Sequence, residues 1–148
     1  MGGGVGLTWH SPIRIATDNT MYAMPESGIG LFCDVGGSYF LPRIRPDSIS
    51  AGLFLGIVGH RLKARDLVKW GIATHFVSAD KMEALRADIN KVDHSHSNSD
   101  ILSIVDSHSD ASAKHDAIDN YDEIKEIFHP DSIWKIFERL EKSESEFG

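Results

Sequence analysis

The sequence predicts an α/β fold in which short strands alternate with helices and the chain becomes all helical toward its end. Three observations predict it: brief alternating apolar runs, one strongly periodic apolar segment, and two amphipathic segments near the C-terminus. The length of 148 residues is that of one ordinary domain. Within it we predict a core over 1–92, a polar loop over 93–120 and a helical segment over 121–148.

The apolar pattern places these elements along the chain. Strands are predicted over 13–17, 21–24 and 72–77, and helices over 5–10, 48–58, 64–70, 81–92, 121–128 and 132–140. The strongest signal is the helix 48–58, which Ser48 can cap and Gly59 can end. Its predicted buried face consists of Ile49, Leu53, Phe54, Ile57 and Val58. Segments 94–100 and 107–116 are polar and weakly periodic, and we predict loops or partial disorder there.

Composition narrows the class of partner. The formal net charge of -7 and the 25% of charged residues argue against a general nucleic-acid surface, which needs clustered Lys and Arg. An anionic small ligand remains compatible, because a few cations or backbone N–H groups can hold it. The single Cys33 excludes an internal disulfide and fits a reducing compartment. No apolar run is long enough to cross a bilayer, and the first residues do not form a signal peptide.

Glycines open the chain. Gly2, Gly3 and Gly4 can form a tight turn that leads into a helix, where unpaired N–H groups and the helix dipole attract an anion or an oxyanion. The spacing does not match a dinucleotide-binding fingerprint, since Trp9 stands where a glycine is required. A purely structural turn is the alternative, and the pattern alone leaves both open.

Two acidic residues follow in apolar sequence. Glu26 comes directly after Pro25, and Asp34 lies between Cys33 and Val35. The surrounding apolar residues are Met24, Ile29, Leu31, Phe32 and Val35. Acids in such surroundings suit general acid–base work. Alternatively each caps a turn or helix, and Asp34 in particular can cap a segment that begins at Gly36.

These segments together resemble the crotonase superfamily. The resemblance is carried by residues 1–7, 23–26 (AMPE), 30–37 (GLFCDVGG), 59–66 and 71–77, in the family's order and spacing. It is strong over 1–80 and thin beyond, and is closest to hydrolases of short branched 3-hydroxyacyl-CoA thioesters such as 3-hydroxyisobutyryl-CoA. It implies a crotonase-like ββα superhelix core truncated at the N-terminus, with a helical C-terminal part. Met1 is then expected to be an internal methionine of a longer protein, which supplies a second oxyanion donor upstream.

The resemblance also implies roles for three residues. The Gly3 N–H is one of two donors to the thioester oxygen, Glu26 handles the attacking water or its proton, and Asp34 orients the 3-hydroxyacyl group or assists that step. Hydratases of the superfamily carry a second catalytic glutamate three residues after the oxyanion glycine, where this chain has Gly6. They usually carry glycine at the position of Asp34. Both departures favour hydrolysis.

The implied activity is hydrolysis of the acyl-CoA substrate to free acid and CoA, without a metal or other cofactor. Its usual place is valine breakdown in the mitochondrial matrix, with the peroxisome or cytoplasm as alternatives, and the full-length protein is expected to form a homo-oligomer. One alternative is another crotonase reaction, hydration or isomerisation. The other is an inactive remnant that acts only as an interaction module.

The evidence for a functional role is weaker for the other polar residues. Cys33 has no histidine beside it and is expected to be a buried spectator rather than a nucleophile. The histidines at 94, 96, 108 and 115 lack a cysteine partner, so a solvated loop is favoured over a zinc site. Arg61, Lys63 and Arg65 either meet CoA phosphates or form an ordinary solvated face.

Overall fold

A computed structural model describes residues 1–46, 49–93, 97–114 and 118–143 of the chain. The chain divides into two compact units, each assembled from segments distant in sequence. The first contains Met1–Gly6, Ala23–Arg61 and Ile118–Gly148, and the second contains Leu7–Tyr22 and Leu62–Ala117. This division differs from the predicted one into 1–92, 93–120 and 121–148. The C-terminal helices belong to the same unit as Glu26 and Asp34.

The first unit is helical. Helix α1 (Gly3–Trp9) begins in it, followed by a 3₁₀ helix (Pro25–Ile29), α2 (Gly37–Phe40), a second 3₁₀ helix (Leu41–Arg43), α3 (Ser50–Val58), α7 (Tyr121–Ile127) and α8 (Ile133–Lys142). Helix α3 packs against both 3₁₀ helices and α7. The rings of Phe54 and Phe128 meet edge to face with centroids 5.2 Å apart.

Helix α3 shows one correct and one wrong prediction. Gly59 ends the helix as predicted, with a φ of 68° and its N–H bonded to the Leu55 carbonyl. The predicted cap, Ser48, lies outside the described residues. The predicted face is right for Phe54, which is buried, and wrong for Ile49 and Val58, which are exposed. The buried residues are Ser50, Ala51, Gly52, Phe54 and Leu55.

That face is buried because Gly52 lets the backbone of residue 41 approach α3. A Cβ atom added at Gly52 would lie 2.1 Å from the carbonyl oxygen of Leu41. Only glycine fits such a contact, and it turns the small residues of α3 inward. Apolar periodicity cannot report this packing, since it counts large side chains and overlooks a glycine that touches backbone.

The second unit holds the short strands. Strand β1 (Ile15–Ala16) pairs in parallel with β4 (His75–Phe76), and β2 (Met21–Tyr22) pairs antiparallel with β3 (Leu62–Lys63). The three predicted strands are therefore present but shorter, and β3 is additional. Helices α4 (Asp66–Lys69), α5 (Met82–Ile89) and α6 (Asn98–His108) complete the unit. No helix in the described part of the chain is long and apolar enough to cross a membrane.

Helix α6 corrects the prediction of a polar loop over 93–120. Ser97 and Asp100 form a reciprocal capping box at its start, and Val105 is fully buried against Val77 and Leu85. Two histidine–aspartate contacts fix it, from His75 Nε2 to Asp106 Oδ1 at 3.0 Å and from His108 Nε2 to Asp88 Oδ2 at 2.9 Å. The sequence of this segment is mostly polar because only a narrow stripe of α6 contacts the core.

The capping box gives a test of this helix. Ser97→Ala should lower the free energy of unfolding by about 1 kcal/mol, because the Asp100 N–H then loses its side-chain acceptor. Ser103→Ala is the matched control on the same helix. Its hydroxyl bonds back to the Ser99 carbonyl, and alanine there should be neutral or slightly stabilising. Urea denaturation measures both, and equal effects would contradict the assignment of the cap.

Candidate active site

The chain opens with the predicted glycine turn and helix. Gly2 has a φ of 59°, its carbonyl accepts from the Val5 N–H at 2.9 Å, and Gly3 is the first residue of α1. N–H groups in the first turn of a helix have no acceptor within that helix. Gly3 is exposed, and a Cβ atom added there would meet nothing within 4 Å. A ligand oxygen can therefore approach this backbone.

Glu26 is the second residue of the 3₁₀ helix Pro25–Ile29. Its carbonyl accepts from the N–H groups of Gly30 and Leu31, which fixes the backbone. Its side chain is only 7% exposed, and its Oε2 has no hydrogen-bond partner among the residues that the structure describes. The alternative that Glu26 caps the helix has no support, because this 3₁₀ helix has no side-chain cap bond. Burying a carboxylate oxygen without a hydrogen-bond donor costs free energy, and such unsatisfied groups are often found where a side chain has a catalytic role.

Asp34 has a different environment. It is exposed, and its carbonyl rather than its carboxylate closes the turn before α2, by accepting from the Gly37 N–H at 2.7 Å. Gly36 is the N-cap of α2 and no side chain bonds there, so the predicted capping role of Asp34 is wrong. The apolar neighbours of Asp34 are also exposed, with Phe32 at 82%. The expectation that apolar sequence buries both acids therefore holds for Glu26 and fails for Asp34.

The Cys33 thiol is affected by both carboxylates. It is half-buried and donates to the Gly56 carbonyl at 3.4 Å. Burial, followed by the negative charges of Glu26 and Asp34, raises the pKa of the Cys33 thiol. Both acids therefore act on one sulfur atom, although one is buried and the other exposed.

Val35 closes the space beside Gly6. Val35 has a φ of 46°, a left-handed conformation that is a strong outlier for a β-branched residue. A Cβ atom added at Gly6 would lie 2.7 Å from both the Cβ and the carbonyl oxygen of Val35. Position 6 therefore cannot accept a side chain while Val35 keeps this conformation.

An apolar cavity of about 500 Å³ lies within the first unit, with Cys33 in its lining. Residues that flank both acids in sequence contribute to it, namely Ser27 and Cys33. The complete lining is Ser27, Leu31, Phe32, Cys33, Ser38, Leu41, Pro42, Gly52, Leu53, Gly56 and Ile57. Its walls suit an apolar group, and the polar atoms it offers come from two serines and the thiol.

Two of the other candidate residues have partners within their own unit. Arg65 is bound to Asp110 at 2.6 Å and lies over the ring of Phe76, so its contacts are structural. His108 is bound to Asp88, whereas the histidines at 94, 96 and 115 lie outside the described residues. Across the described ranges, no three His, Cys, Asp or Glu residues are grouped so that they could hold a metal ion.

The sequence profile of the family described as "Enoyl-CoA hydratase/isomerase" matches residues 1–148. The chain belongs to this family. A solved carnitinyl-CoA dehydratase from Mycobacterium thermoresistibile shares its fold with a TM-score of 0.76 and 28% identity, over 99% of this chain and 40% of that one. The predicted crotonase-like fold is thus confirmed.

Particular relatives within the family are more similar in sequence. A protein of Dictyostelium discoideum named "3-hydroxyisobutyryl-CoA hydrolase, mitochondrial" is 44% identical over 98% of this chain and 38% of its own length. A protein of Danio rerio with the same name is 45% identical over 100% of this chain and 39% of its own length. The chain spans about two fifths of the length of these curated relatives.

Proposed function

We propose that the full-length protein hydrolyses the thioester of 3-hydroxyisobutyryl-CoA, or of a similar short branched 3-hydroxyacyl-CoA, to free acid and CoA. The observation that carries this proposal is the match of the whole chain to relatives with that name at 44% and 45% identity. The burial of Glu26 with a carboxylate oxygen that is unpaired in the described part of the chain, as suits an acid–base residue, is consistent with it.

The residues take distinct roles in this proposal. Glu26, buried and with an unpaired oxygen, manages the proton of the attacking water. Asp34, which is exposed and lies eight residues further along the chain, orients the 3-hydroxyl of the acyl group. The Gly3 N–H stabilises the oxyanion, a contribution that is about 2.7–4 kcal/mol of barrier for one such donor. Neither a metal ion nor a second cofactor takes part, and CoA enters as part of the substrate.

Gly6 and Val35 favour hydrolysis over hydration. The resemblance to crotonases places the second glutamate of hydratases at position 6. In this chain a Cβ atom there would overlap Val35, so the position is closed to any side chain as well as occupied by glycine. A solved structure with the same fold is named a dehydratase, so the fold alone does not distinguish the two reactions. The distinction depends on local positions such as Gly6 and Val35.

The proposed setting is the mitochondrial matrix, in the breakdown of valine. The relatives' names support the mitochondrion, and the matrix and pathway follow from the proposed substrate. The proposed partners are the acyl-CoA substrate and further copies of the same protein in a homo-oligomer, with no role in binding nucleic acid.

A substrate panel tests the proposal. The purified full-length protein should release free CoA from 3-hydroxyisobutyryl-CoA with a kcat/KM at least about tenfold above that for unbranched acyl-CoA thioesters, a discrimination of about 1.4 kcal/mol. It should not hydrate crotonyl-CoA. Thiol release measures the first reaction, and loss of the enoyl absorbance measures the second. Hydration of crotonyl-CoA without thioester hydrolysis would replace this proposal with the hydratase alternative.

A further inference from the structure

Cys33 is the one cysteine of the 148 residues, and its side chain is closely packed against two glycines. A Cβ atom added at Gly37 would lie 2.8 Å from the Cβ of Cys33, and one added at Gly56 would lie 3.4 Å from its Sγ. Two glycines on α2 and α3 thus make room for this side chain. The loop that carries Asp34 is held against α3 at this point by the bond from the thiol to the Gly56 carbonyl.

Burial of the thiol and the negative charges near it both favour its protonated form. The groups that act on it are Glu26 and Asp34, and both are negative. Burial and these charges raise the pKa of the thiol, so the sulfur keeps its proton at neutral pH. A protonated thiol is a weak nucleophile but a competent, if weak, hydrogen-bond donor.

Glu26 needs such a donor. Its Oε2 is buried without a hydrogen-bond partner in the described part of the chain. A contact between the Glu26 carboxylate and the thiol also acts on the pKa of Cys33. The thiol has a single proton, which points to the Gly56 carbonyl in this structure.

We propose that Cys33 is a positioning residue for the two acids. Packed against Gly37 and Gly56, Cys33 holds the loop that carries Asp34 against α3. It also offers its S–H as a hydrogen-bond donor to the Glu26 carboxylate. The sulfur does not bond to the substrate and no covalent step involves it. This inference rests on the proposed function, because it assigns Cys33 to the same reaction.

Serine and alanine at position 33 form a matched pair of nearly equal volume that differ in the hydrogen-bond donor. In the full-length protein, Cys33→Ser should keep kcat for thioester hydrolysis within about threefold of wild type. Cys33→Ala should lower kcat about tenfold or more with little change in KM, because a small displacement of a catalytic group is costly. Equal losses in the two variants, or no loss in either, would overturn the proposal, since packing alone treats serine and alanine alike.

A second measurement does not depend on activity. Alkylation of Cys33 by iodoacetamide, followed by mass spectrometry of its peptide, reports the pH at which the thiol ionises. In Glu26→Gln and in Asp34→Asn this midpoint should move to lower pH, because each variant removes a negative charge near the sulfur. Unchanged midpoints would overturn the proposed arrangement. A wild-type protein that hydrolyses no acyl-CoA thioester would refute the proposed function and the positioning role with it, even where the midpoints move as expected.

Discussion

Glu26→Gln in the full-length protein is expected to lower kcat for thioester hydrolysis by about 10²–10⁴-fold, the usual contribution of a positioned acid or base. Glutamine keeps the shape of the side chain but cannot accept the proton of the attacking water. The fold should survive the substitution. Glu26 Oε2 is buried without a hydrogen-bond partner within the described ranges, so replacing the carboxylate with a neutral amide does not break a stabilising interaction. Initial rates of CoA release and thermal unfolding measure the two effects.

Asp34→Asn is the companion variant in this experiment. A loss in the same range is expected, although Asp34 is exposed and its amide should leave stability unchanged. If Asp34 orients the 3-hydroxyl group, the loss should be smaller for an acyl-CoA that lacks this hydroxyl. Turnover close to wild type in either variant, with thermal stability intact, would remove that residue from the catalytic assignment.

Gly52→Ala is expected to have the largest effect on stability. The new methyl group would lie 2.1 Å from the Leu41 carbonyl oxygen, so backbone must move. Forced overpacking typically costs about 1–3 kcal/mol, and the upper end applies here because the obstructing atoms are main chain. The gain in helix propensity, about 1 kcal/mol, offsets part of this cost. The midpoint of urea denaturation of the full-length protein measures the net loss.

Gly56→Ala is the matched control on the same helix. Its methyl group would meet the ends of two side chains, Leu41 Cδ1 at 3.1 Å and Cys33 Sγ at 3.4 Å, which can shift. The free energy of unfolding should remain within about 1 kcal/mol of wild type. Equal destabilisation by the two substitutions would show that the contact between Gly52 and the Leu41 backbone is not special.

Local signals in the sequence predicted local features well. Gly59 ends α3, and the glycine turn leads into α1. Each depends on residues within one helical turn, where conformational preference and hydrogen bonding dominate. The strand segments were also placed from their local apolar pattern, although their short pairings depend on partners about 40–60 residues away.

Features that depend on distant contacts were missed. The helical state of 98–108 depends on Val105 meeting the core and on the bonds to His75 and Asp88. The burial of Glu26 and the exposure of Asp34 could not be separated, because both lie in equally apolar sequence. The hydrogen bond from the Cys33 thiol to the Gly56 carbonyl could not be foreseen either, as nothing in the neighbouring residues shows it.

The contact between Gly6 and Val35 has a consequence for how members of this family diverge. A glutamate introduced at position 6 alone would collide with Val35, and one of the obstructing atoms is main-chain oxygen. Shortening the valine is therefore insufficient, and the loop itself must shift. Glycine at position 35 adopts left-handed φ values without strain and lets that loop relax. We therefore expect an acid at position 6 only in relatives in which position 35 or the path of its loop has also changed.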